Sequence, residues 1–331
     1  MNLQKGRHAK TREERIKENA KKQIKKRLII IIILLIAVSI IIQIQNTDIA
    51  VSVQEENNKE TTKENDINYE ENKTEEVKQI EPTEDINIKA LIEKIKIDNN
   101  LTENNFAFFY YNPENKTYYY DNQNKYFKAA STVKVPVAML YYDKIANGEL
   151  TKESTLVYNN NDYEEGGGTT SYTYSIGDNI PIEFLLKQSI INSDNTAVNI
   201  LIDGIGYTKC REEIAKYSDE ELIEDFYKTN LTSVAYAYDL INHLYQNQEK
   251  YAELIEYMKQ SSNGEYLKKY ITNYDVAHKY GSYDGNIHDY GIVYTSSPYL
   301  IGIFTQGVPD AAELIANISK QVLDCVNVNE Q

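Results

Sequence analysis

Three short groups of polar residues in this chain could together carry out nucleophilic catalysis. In the first, Ser131 stands three residues before Lys134. A serine hydroxyl is a poor nucleophile at neutral pH and needs an adjacent base. If a helix begins at Ser131, one turn brings the Lys134 amine beneath the serine oxygen, and the helix N-terminus places backbone N–H groups near an oxyanion. Taken alone this pattern is weak, because Ser131 could equally be a helix N-cap and Lys134 a solvated surface residue.

Two further groups follow in the chain, and each also has a simpler explanation. Ser193-Asp194-Asn195 lies sixty-two residues after the serine, just before a helical stretch at 196–202. Serine, aspartate and asparagine are all good cap residues, so a second helix cap is the alternative. Lys279-Tyr280-Gly281 opens the last pair of predicted strands. A glycine there would let a substrate lie close to the strand backbone, although an ordinary edge strand is equally consistent.

In this order, the three groups resemble the motif set of class A β-lactamases and penicillin-binding proteins. The resemblance is carried by residues 130–134, 185–203 and 276–302 and covers nearly all of residues 86–327. It implies an α+β, β-lactamase-like fold, in which an antiparallel sheet of the terminal strands is flanked by helices. An all-helical subdomain lies beside that sheet, and the site lies in the cleft between them.

The resemblance also implies a role for each matching residue. Ser131 would attack a β-lactam or peptide carbonyl and become acylated. Lys134 would take or relay the proton of that serine, and Ser193 would pass a proton to the departing nitrogen. The implied catalytic residues are therefore Ser131, Lys134 and Ser193.

The remaining motif residues would bind the substrate. Asn195 would hold its amide side chain, Lys279 would attract its carboxylate, and the backbone N–H groups of Ser131 and Ser282 would form the oxyanion hole. No metal or organic cofactor is implied. The histidines at 243, 278 and 288 show no ligand spacing and are interpreted as structural or surface residues. The implied substrate-binding residues are Asn195, Lys279, Tyr280, Gly281 and Ser282.

Two departures from the family pattern bear on activity. Tyr280 occupies a position where the family usually carries threonine or serine, and its larger ring could redirect or block substrate, while Ser282 could partly replace the missing hydroxyl. Class A enzymes also place a glutamate in a Glu-x-x-Leu-Asn pattern to activate the deacylating water. Residues 217–232 lack that pattern, so hydrolysis of the acyl-enzyme is expected to be slow. The segment offers only Glu220, Glu221 and Glu224, each of which could instead be a solvated acidic residue.

Hydrophobic periodicity predicts the elements that must position these groups. Strands at both ends of residues 86–331 enclose a mostly helical middle, which favours an α+β domain with paired terminal strands. The predicted helices are 86–96, 131–146, 182–188, 196–202, 234–245, 253–259 and 310–324. The predicted strands are 106–111, 118–120, 275–278, 289–294 and 299–305.

The residues before this domain predict a membrane anchor and a spacer. Residues 1–27 hold eleven Lys/Arg against three Glu and are followed by an apolar segment at 28–44. This order predicts a single-pass signal anchor in the plasma membrane, with a cytoplasmic N-terminus and an extracellular catalytic domain. A cleaved signal peptide is the alternative. Residues 45–85 are rich in Glu, Asn, Lys and Thr without apolar periodicity, which predicts a disordered spacer.

Charge and cysteine content narrow the partners. The chain carries −15 overall, so the part beyond the basic tail carries about −23, which argues against nucleic-acid binding. Cys210 and Cys325 form neither a ligand cluster nor a disulfide framework, although one bridge between them remains open. A monomer is expected.

The leading hypothesis is thus a membrane-tethered serine hydrolase that forms an acyl-enzyme with β-lactams or D-alanyl peptides of the cell wall. The alternative hypothesis is a binding or sensor module with the same fold and no turnover.

Overall fold

A computed structural model describes residues 81–165, 168–262 and 265–329 of the chain. The predicted basic tail, the apolar segment at 28–44 and most of the predicted spacer lie outside these residues. Within the described ranges, no helix combines the length and the apolar character needed to cross a membrane. The anchor therefore stays a prediction.

The main sheet has six strands, which are β1 (Thr83–Glu84), β2 (Phe106–Asn112), β3 (Thr117–Asp121), β8 (Asp275–Tyr283), β9 (Asn286–Tyr294) and β10 (Tyr299–Gln306). Their order in the sheet is β1-β3-β2-β10-β9-β8. β1 runs parallel to β3, and the other neighbouring pairs are antiparallel. The strand near the start of the domain, β2, pairs directly with the last strand, β10, as the sequence predicted.

Two small two-stranded sheets and nine α-helices complete the described part of the chain. The small sheets pair β4 (Tyr126–Lys128) with β7 (Leu231–Ser233) and β5 (Thr155–Val157) with β6 (Asn179–Pro181). The helices are α1 (Ile86–Asp98), α2 (Lys134–Ala146), α3 (Thr170–Thr173), α4 (Ile182–Ile191), α5 (Asn195–Ile205), α6 (Tyr207–Ile214), α7 (Val234–Gln246), α8 (Ala252–Lys259) and α9 (Ala311–Asn329).

The main sheet separates two hydrophobic cores. Successive side chains of β2 point to opposite faces, so Phe108 joins one core and Phe109 the other. The Phe108 core packs against the two terminal helices α1 and α9 and includes Ile92 and Ile318. The Phe109 core is larger and contains apolar residues of α2, α4, α5 and α7. The sheet is thus covered on both faces, as the sequence predicted for an α+β domain.

The start of the folded domain differs slightly from the prediction. Thr83–Glu84 add a short edge strand to β3, and the Asp85 carboxylate accepts the N–H of Asn87 and of Ile88 at the start of α1. These residues belong to the domain although the predicted spacer extended to position 85. A polar two-residue strand and a cap carry no apolar periodicity, so hydrophobic patterning alone does not reveal them.

The positions of Cys210 and Cys325 in the two cores exclude a disulfide between them. Cys210 is buried in the Phe109 core, whereas Cys325 packs against the Phe108 core on the other side of the sheet, and both thiols are free. A bridge would require their Cα atoms to lie within about 7 Å, which this separation by the sheet prevents.

Candidate active site

Ser131 lies in a 3₁₀ turn, Ala130–Val133, that leads directly into α2. The predicted helix began at Ser131, but the α-helix itself begins at Lys134. Ala130 has a φ of +49°, a left-handed conformation that residues other than glycine rarely adopt. Lys134 Nζ donates to Ser131 Oγ at 2.8 Å, so the turn achieves the predicted serine–lysine contact. Backbone strain of this kind is commonly concentrated at functional sites.

Lys134 is only 2% exposed and lies at the centre of the polar cluster. Its Nζ also contacts Ser193 O at 2.8 Å, Ser193 Oγ at 3.2 Å and Asn195 Oδ1 at 2.7 Å. Burial lowers the pKa of Lys134 to about 8, although the charges of Glu164 and Asp194 partly oppose this shift. A neutral amine is therefore accessible near physiological pH and could accept the proton of Ser131.

The second motif places a hydroxyl between two lysines. Ser193 has a φ of +54°, and its Oγ lies 3.1 Å from Lys279 Nζ as well as 3.2 Å from Lys134 Nζ. Lys279 is fully buried and also donates to Tyr280 O at 2.9 Å. Burial, together with the charge of Lys134, holds the pKa of Lys279 well below its ordinary value. Ser193 is therefore positioned to receive a proton from either amine and pass it on.

Asp194, the middle residue of the same motif, stabilises the fold around the site through hydrogen bonds. It is 1% exposed and caps α5 by accepting the N–H of Ala197 at 3.0 Å. Its other carboxylate oxygen accepts the N–H and the hydroxyl of Thr170, at 2.8 and 2.6 Å. The two neighbours of Asp194, Ser193 and Asn195, are thus held at a fixed point between the starts of α5 and α3.

Gly281 allows β8 to approach the nucleophile turn. A Cβ at this position would lie 2.9 Å from Ala129 O and 3.0 Å from Ser131 N. The sequence suggested that glycine makes room for substrate, whereas the structure shows that the space is taken by the backbone next to Ser131. The reason for glycine is therefore contact between two segments of the protein.

Substitution of Gly281 tests this contact. We expect Gly281→Ala to lower the free energy of unfolding by about 1–3 kcal/mol, because the added methyl group would overlap the backbone next to Ser131. Thermal unfolding measures this effect. An unchanged unfolding temperature would contradict the contact.

A cavity of about 660 Å³ opens beside these residues. Four of the predicted site residues line it, namely Ser131, Lys134, Asn195 and Ser282. Ser193, Lys279 and Gly281 are not part of this lining; Ser193 contacts it through Lys134, and Lys279 contacts Ser193. The ring of Tyr280 instead stacks on Tyr266, with centroids 4.9 Å apart, and does not line the cavity. The predicted substrate contact of Tyr280 therefore has no support from its side-chain position.

The acidic segment at 217–232 contributes no carboxylate to the described cavity lining. Glu220, Glu221 and Glu224 are exposed, and Glu224 pairs with Lys228. The segment reaches the cavity through Thr229, Asn230 and Leu231, and Asn230 Nδ2 donates to Ala130 O at 3.0 Å. None of the three glutamates considered from the sequence is thus in position to act on a ligand bound at Ser131.

Glu164 and Arg211 are two charged lining residues that were not identified from the sequence. Among the described residues that line the cavity, Glu164 is the one acidic residue, and its carboxylate accepts hydrogen bonds from Asn195 and Asn199. Arg211 is 3% exposed and donates to Phe226 O from Nε at 2.8 Å. Glu164 belongs to a Glu-Glu-Gly-Gly-Gly run with no motif spacing, and Arg211 lies in a helix, α6, that the sequence did not predict. Neither residue therefore belongs to a sequence pattern that indicates a functional site.

Comparisons with known proteins agree with this fold. A model of the "Beta-lactamase enzyme family" matches residues 87–326. The solved structure of PBP-A is similar at 20% identity and a TM-score of 0.66, covering 75% of this chain and 99% of that one. A β-lactamase from Sphaerobacter thermophilus gives 21% identity and a TM-score of 0.62, with 73% and 97% covered. A mutant of PBP-A, solved as an acyl-enzyme complex with penicillin G, gives 20% and 0.64, with 72% and 97% covered. No curated protein sequence matches the chain.

The folded domain is thus a mixed α+β domain of the β-lactamase type, with a strand sheet flanked by helices. Because the family model spans most of the chain, the protein belongs to the β-lactamase enzyme family. The similar solved structures are less than 25% identical to this chain in sequence, so they show its fold alone.

Proposed function

We propose that the protein is a serine hydrolase that is acylated at Ser131 by β-lactams or by D-alanyl peptides. One observation carries the proposal. Ser131 Oγ lies 2.8 Å from the Nζ of a buried lysine whose pKa is lowered to about 8. A nucleophile within hydrogen-bond reach of a base that is partly neutral at working pH is what acyl transfer requires.

The contacts support a complete acylation step. Neutral Lys134 accepts the proton of Ser131 Oγ as that oxygen bonds to the ligand carbonyl carbon. When the carbon–nitrogen bond breaks, Ser193 donates its hydroxyl proton to the departing nitrogen. Ser193 is reprotonated by one of the two amines that already contact its Oγ at 3.1 and 3.2 Å. The product is an ester at Ser131, and hydrolysis of this ester by water completes turnover.

Labelling with a fluorescent penicillin tests this proposal. We expect the purified full chain, kept in detergent because of its apolar segment, to gain one covalent label that is lost in Ser131→Ala. Ser175→Ala, a change at an exposed serine outside the cavity, should leave labelling intact. Mass spectrometry of the labelled peptide locates the ester. Absence of label in the wild type at high penicillin, or persistence of label in Ser131→Ala, would contradict the proposal.

A second candidate function is a binding or sensor module that keeps its acyl group. It is favoured by the position of Glu220, Glu221 and Glu224, which leaves residues 217–232 without a carboxylate in the described cavity. Deacylation without general-base assistance is slow, so the ester would persist. The rate at which label is released separates the two functions, since turnover supports the hydrolase and stable label supports the sensor.

We further propose that the domain acts outside the cell and is held at the plasma membrane by residues 28–44. The basic residues before this segment support that orientation, because a Lys/Arg excess favours the cytoplasmic side. Accessibility of the domain to protease added to whole cells tests the orientation, with an intracellular protein as the control. A domain that is protected in intact cells and cut only after lysis would contradict it.

A further inference from the structure

The cavity beside Ser131 contains a carboxylate to which the acylation chemistry assigns no role. Glu164 lies on the loop after β5 and lines the cavity together with Ser131, Lys134 and Asn195. Among the described residues of the lining, it is the one acidic side chain. The other ionisable side chains there include the cations Lys128, Lys134 and Arg211, so Glu164 creates a local region of opposite charge in the cleft.

Helix α5 holds Glu164 in place at several points. The backbone N–H of Glu164 donates to Thr196 Oγ1 at 3.2 Å, and the backbone oxygen of Glu164 lies 3.2 Å from the same hydroxyl. Its carboxylate accepts Asn195 Nδ2 at 3.1 Å on one oxygen and Asn199 Nδ2 at 3.0 Å on the other. Thr196 is only 2% exposed, so this attachment belongs to the folded core of α5. An exposed glutamate without a role needs no such attachment, whereas a binding group gains from being held in advance.

Asn195 connects this carboxylate to the reacting centre. Its Oδ1 accepts from Lys134 Nζ at 2.7 Å, and its Nδ2 donates one of two N–H groups to Glu164. The second N–H is then the donor available to the amide carbonyl of a ligand. Two acceptors that are each about 3 Å from one amide nitrogen and separated by about 120° lie roughly 5 Å apart. A group one or two bonds from that carbonyl therefore comes into contact range of Glu164.

A cation fits this position best. The two amide donors leave about two lone-pair directions of the carboxylate unused, because an ionised carboxylate offers about four. Within the described part of the chain, no lysine or arginine forms an ion pair with Glu164, and Lys134 is joined to it only through hydrogen bonds to Asn195. A ligand ammonium would supply the missing partner, whereas a ligand carboxylate would be repelled.

We propose that Glu164 is a subsite for an ammonium group, which selects acyl donors that carry a cation beside the amide carbonyl held by Asn195. The β-lactams of this class bear an α-amino group on the acyl side chain. The corresponding peptides carry a free α-amine on the residue that precedes the acylated one. This inference rests on the proposed acylation of Ser131 and adds to it the chemical class of ligand.

Ampicillin and penicillin G provide a matched pair of probes, because they differ by one α-amino group next to the side-chain carbonyl. Second-order acylation rates of the full chain are measured with both at pH 6.5, where an α-amino group is protonated. We expect Glu164→Gln to lower the ratio of the ampicillin rate to the penicillin G rate by about threefold to tenfold. Glu165→Gln removes the same charge from the adjacent exposed residue outside the cavity and should leave the ratio unchanged.

A change of pH gives a second, independent readout. In the wild type the same ratio should fall as the pH rises from 6.5 to 9, since the α-amino group becomes neutral. Titration of Lys134 alters both rates together and cancels in the ratio. In Glu164→Gln the ratio should vary less with pH.

Two results would overturn the subsite while leaving acylation at Ser131 intact. One is an unchanged ratio in Glu164→Gln with both ligands still reacting. The other is a slower release of both acyl groups with no change in the ratio, which would make Glu164 a group that assists hydrolysis. If neither ligand acylates the wild-type chain, the proposed function and this inference both fail.

Discussion

Replacement of Lys134 by arginine is expected to lower the rate of Ser131 acylation by about a thousandfold. The reason is that a guanidinium stays protonated at all accessible pH values and cannot accept the serine proton, whereas general-base assistance contributes about 10² to 10⁴ in rate. The buried position of Lys134 and its pKa of about 8 are what make a lysine usable here. Stopped-flow or quenched labelling with penicillin measures the change.

The pH dependence of the acylation rate in the wild-type protein should also identify Lys134 as the base. Below pH 8 the neutral fraction of Lys134 falls tenfold for each pH unit, so the acylation rate should rise with pH and level off above about 8. Lys144→Arg, an exchange at a half-buried lysine on the same helix that pairs with Glu149, should leave both rate and profile unchanged. A Lys134→Arg variant that labels at the wild-type rate would show that another group is the base.

Substitution of Asp194 by alanine should produce the largest loss of stability among the site residues. The change would leave the N–H and hydroxyl of Thr170 and the N–H of Ala197 without their acceptor, in a position that is 1% exposed. Hydrogen bonds to an ionised group contribute about 1.5–3 kcal/mol each, so we expect a loss of about 3–5 kcal/mol in the free energy of unfolding. For a domain of this size, that corresponds to a decrease of about 10 °C in the unfolding temperature.

The same substitution should also weaken acylation, because Asp194 holds Ser193 and Asn195 in register with Lys134. Gly168 shows how closely the neighbouring loop is fitted, since a Cβ there would come within 2.1 Å of the Asp194 carboxylate. Asp178→Ala is the matched control, because Asp178 accepts one backbone N–H, that of Ser175, in an exposed turn. Its loss should cost about 1 kcal/mol or less. Equal effects of the two substitutions would contradict the structural role of Asp194.

Most elements of the domain could be predicted because their signal is local. The period of apolar residues predicted α1, α4, α7 and α9 to within five positions, and the aromatic run at 106–111 predicted the strand β2. Helix α6 was missed, because it is short and mostly polar, and one of its three buried residues, Arg211, is charged. The small sheet of β4 and β7 was missed as well, since its strands are three residues long and pair across more than a hundred positions.

The sequence by itself determined which residues could react. Ser131 and Lys134 are one helical turn apart, so covalent geometry brings them together in any helical conformation of that segment. The other two motifs could also be recognised from the sequence, because each consists of three consecutive residues. Their meeting at Lys134 was inferred from a family resemblance, because contacts between residues sixty or more positions apart depend on packing and not on spacing.

Only the tertiary structure decided what surrounds these residues. The direction of Tyr280 follows from its place on β8, where its ring faces the Phe108 core and stacks on Tyr266. Glu164 reaches the cavity because three residues of α5 hold the loop that carries it. The chain thus encodes the pair Ser131 and Lys134 and their turn locally, whereas the charges that line the cavity come together only where distant loops pack against one helix.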